Sequence, residues 1–227
     1  MEVLKVSRVR VFSEVQIWAH KHLIHVVGLL LFTGLPFFSK DLFGWVAYVL
    51  GYPVALFIGG NVNSLGLEVA RWLHRLAAIV LIAISAVVFF AEVPRAKKWR
   101  IWPKNVGREV RKLLDYYVHK KRVPFDKYNI GQIAWTWFVI IGIAVMIVTG
   151  LIMWFKPSME LVTVAHELHA LGAALFMIGL VIHIYAAIGI PEHRPMVTAM
   201  FRTGDLPEEY LKEHHPLYYE VVRSERK

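Results

Sequence analysis

The stretch Leu168 to Tyr185, LHALGAALFMIGLVIHIY, decides how this chain is read. It carries two histidines, His169 and His183, fourteen residues apart, and no charged residue between them. Fourteen residues make almost four turns of α-helix, so both imidazoles face nearly the same way, about 21 Å apart along the axis. Polar side chains at membrane depth are costly and are kept for a purpose. A helix with one imidazole near each face of a bilayer therefore predicts a function for both rings.

The surrounding composition agrees with a membrane protein. The 227 residues are 57% hydrophobic with a mean hydropathy of +0.49, and charged residues make up 19%, below the roughly 25% of an ordinary soluble domain. Four apolar segments can cross a bilayer, over about 20–38, 71–93, 133–155 and 164–190; each reaches the roughly 20 residues required. A single domain over 1–227 is expected. A further apolar piece, Phe43 to Gly60, is broken by Gly44, Gly51, Pro53, Gly59 and Gly60; it reads as an interfacial or re-entrant segment, not a fifth span. Met1 to Glu14 shows no apolar core with a small-residue cleavage site, so the first span is expected to act as its own insertion signal.

Basic residues orient the bundle. Pro94 to Lys127 contains twelve Lys and Arg, whereas the links 39–68 and 156–165 contain one each, Lys40 and Lys156. By the positive-inside rule the loop 94–131 is cytoplasmic, as are both termini and the tail 191–227; Lys5, Arg8 and Arg10 agree. The net charge of +9 is thus a topology and lipid-contact signal, not one for nucleic acid. Val106 to Val118 can form a short amphipathic helix on that side.

With no cysteine, disulfides, thiolate-held iron–sulfur clusters and covalent c-type haem are excluded. Histidine remains. The orientation places His74 and His169 near the outer face, and His183 near the inner face with His20, His22 and His25. Two depths, each with histidines from different helices, predict an all-α four-helix bundle holding two b-type haems, each between two neutral imidazoles. His74, His169 and His183 are expected as axial ligands, together with one of His20, His22 and His25. Arg71 and Arg75 flank His74 and can meet haem propionates or snorkel to the interface. His166-Glu167-Leu168-His169 lacks the i, i+4 spacing of a HExxH zinc site. His119, His193, His214 and His215 lie outside the spans and read as solvated surface residues. A metal-ion transporter is the rival class, disfavoured by the lack of mid-membrane carboxylates in spans one, three and four; another is a purely structural anchor.

These residues bring out a resemblance covering most of the chain. Ala19-His20, followed by Thr33-Gly34-Leu35; Arg71-Trp72-Leu73-His74; Leu168-His169-Ala170; His183-Ile184-Tyr185; Lys127-Tyr128-Asn129-Ile130-Gly131-Gln132; and His214-His215-Pro216 with Tyr218-Tyr219 resemble the cytochrome b (gamma) subunit of respiratory formate dehydrogenases. That subunit lies within the di-haem cytochromes b that also serve nickel–iron hydrogenases. Where the family usually has Trp after the first histidine, this chain has Lys21, and the 43–60 segment is more apolar than the family's. The resemblance implies His20 as the fourth ligand and a place in the cell inner membrane. It also implies an iron–sulfur partner subunit beside a molybdenum, tungsten or nickel–iron catalytic subunit. Electrons would pass through two haems b to a quinone, menaquinone or ubiquinone, bound by Asn129, Gly131, Gln132 and His183 near the cytoplasmic face. The alternative is the cytochrome b of a hydrogenase or another molybdoenzyme complex. The anchor subunit would not itself carry the substrate-oxidising site.

Overall fold

The computed structural model describes residues 7–103 and 105–225; Lys5 and Lys104, both counted among the orienting charges, lie outside the described residues. Six long helices dominate: α1 Glu14–Phe38, α2 Lys40–Ile58, α3 Val62–Glu92, α4 Val106–Tyr117, α5 Ile130–Phe155 and α6 Met159–Ile184. Three short ones follow: α7 Arg194–Thr198, α8 Glu208–His214 and α9 Pro216–Glu225. The helix starts are written locally. Ser or Asn side chains accept from the first-turn amides at Ser13, Ser39, Asn61, Asn105, Asn129 and Ser158, the role these short polar residues play best. The apolar runs between caps do the rest, since in a bilayer every backbone group must be satisfied within the segment.

Five of these helices are long and apolar enough to cross a membrane: α1, α2, α3 with its 3₁₀ extension to Lys98, α5, and α6 with its extension to Gly189. The sequence pattern predicts four. The difference is α2, a regular helix of 19 residues despite Gly44, Gly51 and Pro53. Its glycine has a packing reason: a Cβ on Gly51 would lie 1.9 Å from the Val62 carbonyl oxygen, and one on Gly66 would lie 1.7 Å from that of Ala47. The missing side chains let α2 and the start of α3 touch backbone to backbone, folded back through Gly59 and Gly60, both at positive φ.

The chain divides into two compact units. One comprises Trp18–Phe90 and Val145–Met177 and holds α2, most of α1, α3 and α6, and the last part of α5. The other comprises Met1–Ile17, Ala91–Ala144 and Ile178–Lys227, and it gathers distant polar segments. Here β1, Arg8–Arg10, pairs antiparallel with β2, Asp205–Pro207. Val9, Val11, Phe12, Ile17, Ala199, Leu206 and Leu211 form its core. The Glu92 carboxylate, 2% exposed, accepts from Ser13 Oγ at 2.6 Å, Gln16 Nε2 at 3.1 Å and Trp99 Nε1 at 3.2 Å. Lys127 Nζ donates to the Val11 carbonyl at 2.7 Å and faces the rings of Phe12, Tyr128 and Tyr218. Burial lowers its pKa to about 8.

Candidate functional sites

In the first unit, His74 of α3 and His169 of α6 lie side by side, ring centroids 6.2 Å apart. Each imidazole is held the same way. Thr33 Oγ1 donates to the Leu29 carbonyl at 2.7 Å and lies 3.1 Å from His74 Nδ1. Thr149 Oγ1 donates to the Val145 carbonyl at 2.7 Å and lies 2.8 Å from His169 Nδ1. A hydroxyl whose hydrogen is already committed can only accept from the ring, so Nδ1 carries the hydrogen and Nε2 the lone pair. Both threonines are buried. The next residue is glycine in each case, and a Cβ on Gly34 or Gly150 would sit 3.5 Å from Cε1 of its histidine. The motif Thr-Gly-Leu thus occurs twice, at 33–35 and 149–151, once for each ring.

This arrangement fits an axially ligated metal. Two imidazoles that share one metal at about 2.0 Å have ring centres roughly 6.4 Å apart, close to the observed spacing. Among the described residues no group of three or more His, Cys, Asp or Glu could hold a metal ion. An apolar cavity of about 230 Å³ opens between α1 and α3, lined by His25, Val26, Leu29, Leu73, Ala77 and Val80 among others. His166 and Glu167 form an exposed pair.

Arg71 is ion-paired with Glu68, its guanidinium 5.7 Å from the Phe37 ring centre. Arg75 lies between Trp72 and Trp154, at 5.5 and 5.1 Å. His20 is half-buried, whereas His22 and His25 are exposed, their Nδ1 atoms bonded to the Trp18 and Lys21 carbonyls of their own helix.

The second unit contains the other expected residues. His183 stacks on Trp135, centroids 4.9 Å apart and planes 11° off parallel. Immediately after it α6 widens into a π-helical turn, Tyr185–Gly189, a distortion frequent at functional sites. Asn129 and Gln132 cap α5 reciprocally: each backbone N–H donates to the other's side-chain oxygen at 3.0 Å. The Gln132 NH₂ and one N–H of Asn129 remain as donors, the other Asn129 N–H bonding the Tyr117 oxygen. A Cβ on Gly131 would lie 3.3 Å from Asn129 Oδ1.

Asn129 and Gln132 line a cleft with His193, His214, His215, Glu192 and three tyrosines, Tyr116, Tyr117 and Tyr210. The cleft has about 20 Å³ of free space, room for one ordered water. Gly131 and His183 do not line it. The sequence reading treats His193, His214 and His215 as solvated; instead His215 is buried, its Nδ1 bonded to the Asp126 carbonyl at 2.8 Å, and His193 and His214 are half-buried. Only His119 of the four is exposed, beside Asp115. The one signal for this cluster in the sequence is the His-His-Pro and Tyr-Tyr pattern of the tail.

The apolar helices thus bring together a half-buried pair of imidazoles, each with its Nδ1 against a threonine hydroxyl. A family model described as prokaryotic cytochrome b561 matches residues 11–202, and the chain belongs to that family. It is similar to the cytochrome b556(fdo) subunit of formate dehydrogenase from Escherichia coli, 27% identical over 205 residues that cover 85% of this chain and 82% of the relative. It is also similar to the formate dehydrogenase cytochrome b556 subunit of Haemophilus influenzae, 26% identical over 88% of this chain and 78% of that protein. The nitrate-inducible cytochrome b556(Fdn) subunit of Escherichia coli is 26% identical, covering 88% and 85%. Family membership implies haem b, and with the five apolar helices it makes the chain a multi-pass inner-membrane protein.

Proposed function

We propose that this chain is the membrane-embedded electron-transfer subunit of a formate dehydrogenase-type complex, carrying two haems b and reducing a quinone. The observation that carries the reading is the His74–His169 pair with its two threonine locks. Bound there, haem b supplies a one-electron carrier. His74 and His169 hold the outer haem through Nε2; Thr33 and Thr149 fix the tautomer and keep each ring basic. His20 and His183 hold the inner haem, supported by the burial of His20 relative to His22 and His25. Arg71 and Arg75 reach the propionates of the outer haem. An iron–sulfur subunit, itself fed by a catalytic subunit, delivers electrons on the outer side.

The quinone binds near the cytoplasmic face at Asn129, Gly131, Gln132 and His183. The cap geometry supports this role, because capping consumes the side-chain oxygens of Asn129 and Gln132 and leaves amide donors for a quinone carbonyl. Gly131 leaves the backbone open to a flat ring.

Four crossings with both ends of the bundle on one side are supported by parity, and the basic residues of the loop 94–131 favour the cytoplasm for that side. Ser13 bonds Glu92, Lys127 bonds Val11, and His215 bonds Asp126. The residues before α1, those after α3, those before α5 and those after α6 therefore share one side, so an even number of helices crosses between Ser13 and Glu92. Three helices lie there, and α2 is the one read as interfacial. It packs on the first turns of α3, and α3, about 46 Å long, exceeds the roughly 30 Å hydrocarbon core.

The test is purification in detergent with haem supplied, a pyridine haemochrome count, and quinone reduction by an Asn129→Ala variant. Two haems b per chain are expected, with the variant keeping both while quinone turnover falls. A chain without haem would sink the cytochrome reading, and normal turnover in the variant would remove Asn129 from the quinone site.

A further inference from the structure

The cleft beside Asn129 holds six ionisable rings that electron transfer alone does not use. His193 is the most informative. Its Nδ1 lies 2.6 Å from the Ala186 carbonyl, an atom that can only accept, so Nδ1 carries a hydrogen. In the neutral ring Nε2 is then the acceptor, and it receives the Tyr117 hydroxyl at 2.8 Å. The Tyr117 oxygen is also hydrogen-bonded by the Asn129 side chain. A continuous chain runs from His193 through Tyr117 to Asn129, the residue assigned to the quinone carbonyl. At the other end sit exposed Glu192 and half-buried His214, with Tyr116 Oη 3.4 Å from His214 Nδ1.

We propose that His193 and Tyr117 form the relay that delivers a proton from the aqueous side to the quinone oxygen held at Asn129. The proposal rests on the quinone reading above and goes beyond it by naming the proton carriers. Reduction of a quinone to a quinol adds two electrons and two protons, one O–H bond at each carbonyl oxygen. For the Asn129-side oxygen, His193 first takes a proton from hydronium on the aqueous side, releasing a water molecule, and becomes imidazolium. The Nε2–H bond then breaks as that proton passes to the Tyr117 oxygen, and the Tyr117 O–H proton passes to the quinone oxygen. Imidazole and phenol end neutral, and the electrons arrive separately from the haem. The concerted form suits the site: burial raises the Tyr117 pKa to about 12, so a free tyrosinate is a costly intermediate. The groups facing the relay are Tyr116 from α4, Glu192 before His193, and Tyr210, His214 and His215 from the tail.

The experiment uses the full chain, purified with haem and any subunits that accompany it, chemically reduced and mixed with menadione or decylubiquinone while haem oxidation is followed optically. His193→Gln and Tyr117→Phe are expected to slow the reaction on the order of 10²-fold, the contribution of one positioned proton carrier, with haem content, dithionite reduction and the quinone KM unchanged. His193→Ala should be partly rescued by added imidazole. Wild-type rates in both His193→Gln and Tyr117→Phe, with Asn129→Ala slow, would overturn the relay and leave the quinone site standing. Wild-type rates in Asn129→Ala would remove the quinone site and the relay with it. Slowing with a raised KM and no imidazole rescue would mark a structural role and also overturn the relay. If His193→Ala does not hold haem, Tyr117→Phe decides alone.

Discussion

Thr149 Oγ1 stands 2.8 Å from His169 Nδ1, the relation that Thr33 bears to His74 at 3.1 Å. In both cases the threonine hydrogen is spent on its own helix, so the hydroxyl acts on the imidazole purely as an acceptor. Thr149→Val keeps the shape and deletes the acceptor. Haem affinity at that pair is expected to fall about 10- to 100-fold, with a changed midpoint potential for the haem that remains, whereas Thr149→Ser restores both. Haem titration followed by redox potentiometry checks this; a wild-type potential and affinity in the valine variant would deny the threonine its role.

Histidine variants should remove haems one depth at a time. His169→Ala and His74→Ala each leave one haem per chain, and so does His183→Ala, with a different residual spectrum. In α1 only His20→Ala should lower the count, because His22 and His25 are exposed to the surroundings of the helix. A haemochrome count of two in His20→Ala would transfer the ligand role to one of its neighbours.

Lys127 makes stability depend on alkaline pH. Its pKa in the fold is about 8 against an ordinary 10.5, chiefly through burial. Between those values the unfolded chain binds the proton and the folded chain does not, so stability rises with pH across that window, by roughly 3 kcal/mol in all. Below pH 8 both states are protonated and the dependence vanishes. Thermal unfolding of the detergent-solubilised protein from pH 7.5 to 10.5 should show the rise, and Lys127→Met should abolish it. Persistence of the same slope in Lys127→Met would assign it to another group.

Gly66→Ala introduces a Cβ 1.7 Å from the Ala47 carbonyl oxygen, a clash relieved only by moving α2 off α3. A loss of roughly 1–3 kcal/mol is expected, read as a lower unfolding temperature, with two haems retained in the folded fraction. Unchanged stability would mean that the hairpin contributes nothing to the fold.

Much of the bundle is legible in the sequence, for a physical reason: a bilayer demands long apolar runs, and the charges between them bias topology. The segments 20–38, 71–93 and 133–155 fall in helices, as does 164–190 up to Gly189, and the helices are extended at their starts to Glu14, Val62, Ile130 and Met159. The depth match of His74 and His169 could be read because helical rise is constant. Three features could not. The regularity of α2 was hidden by Gly51, which reads as a breaker but is the contact point of a helix pair. The threonine locks join α1 to α3 and α5 to α6, and no local pattern announces such a partnership. The burial of His215 and the partial burial of His193 depend on a tail that looks hydrophilic yet packs through Leu206, Leu211 and aromatic side chains.

The pairing of Arg8–Arg10 with Asp205–Pro207 joins residues nearly two hundred positions apart. A ribosome releases the chain from its N-terminus onward, so the first strand waits for its partner until almost every helix has been made. His74 and His169 are both available before that moment, whereas Tyr210, His214 and His215 emerge after it. The order of synthesis is therefore an order of maturation: the paired imidazoles are complete while the strand pair is still open, and the cleft around Asn129 closes last.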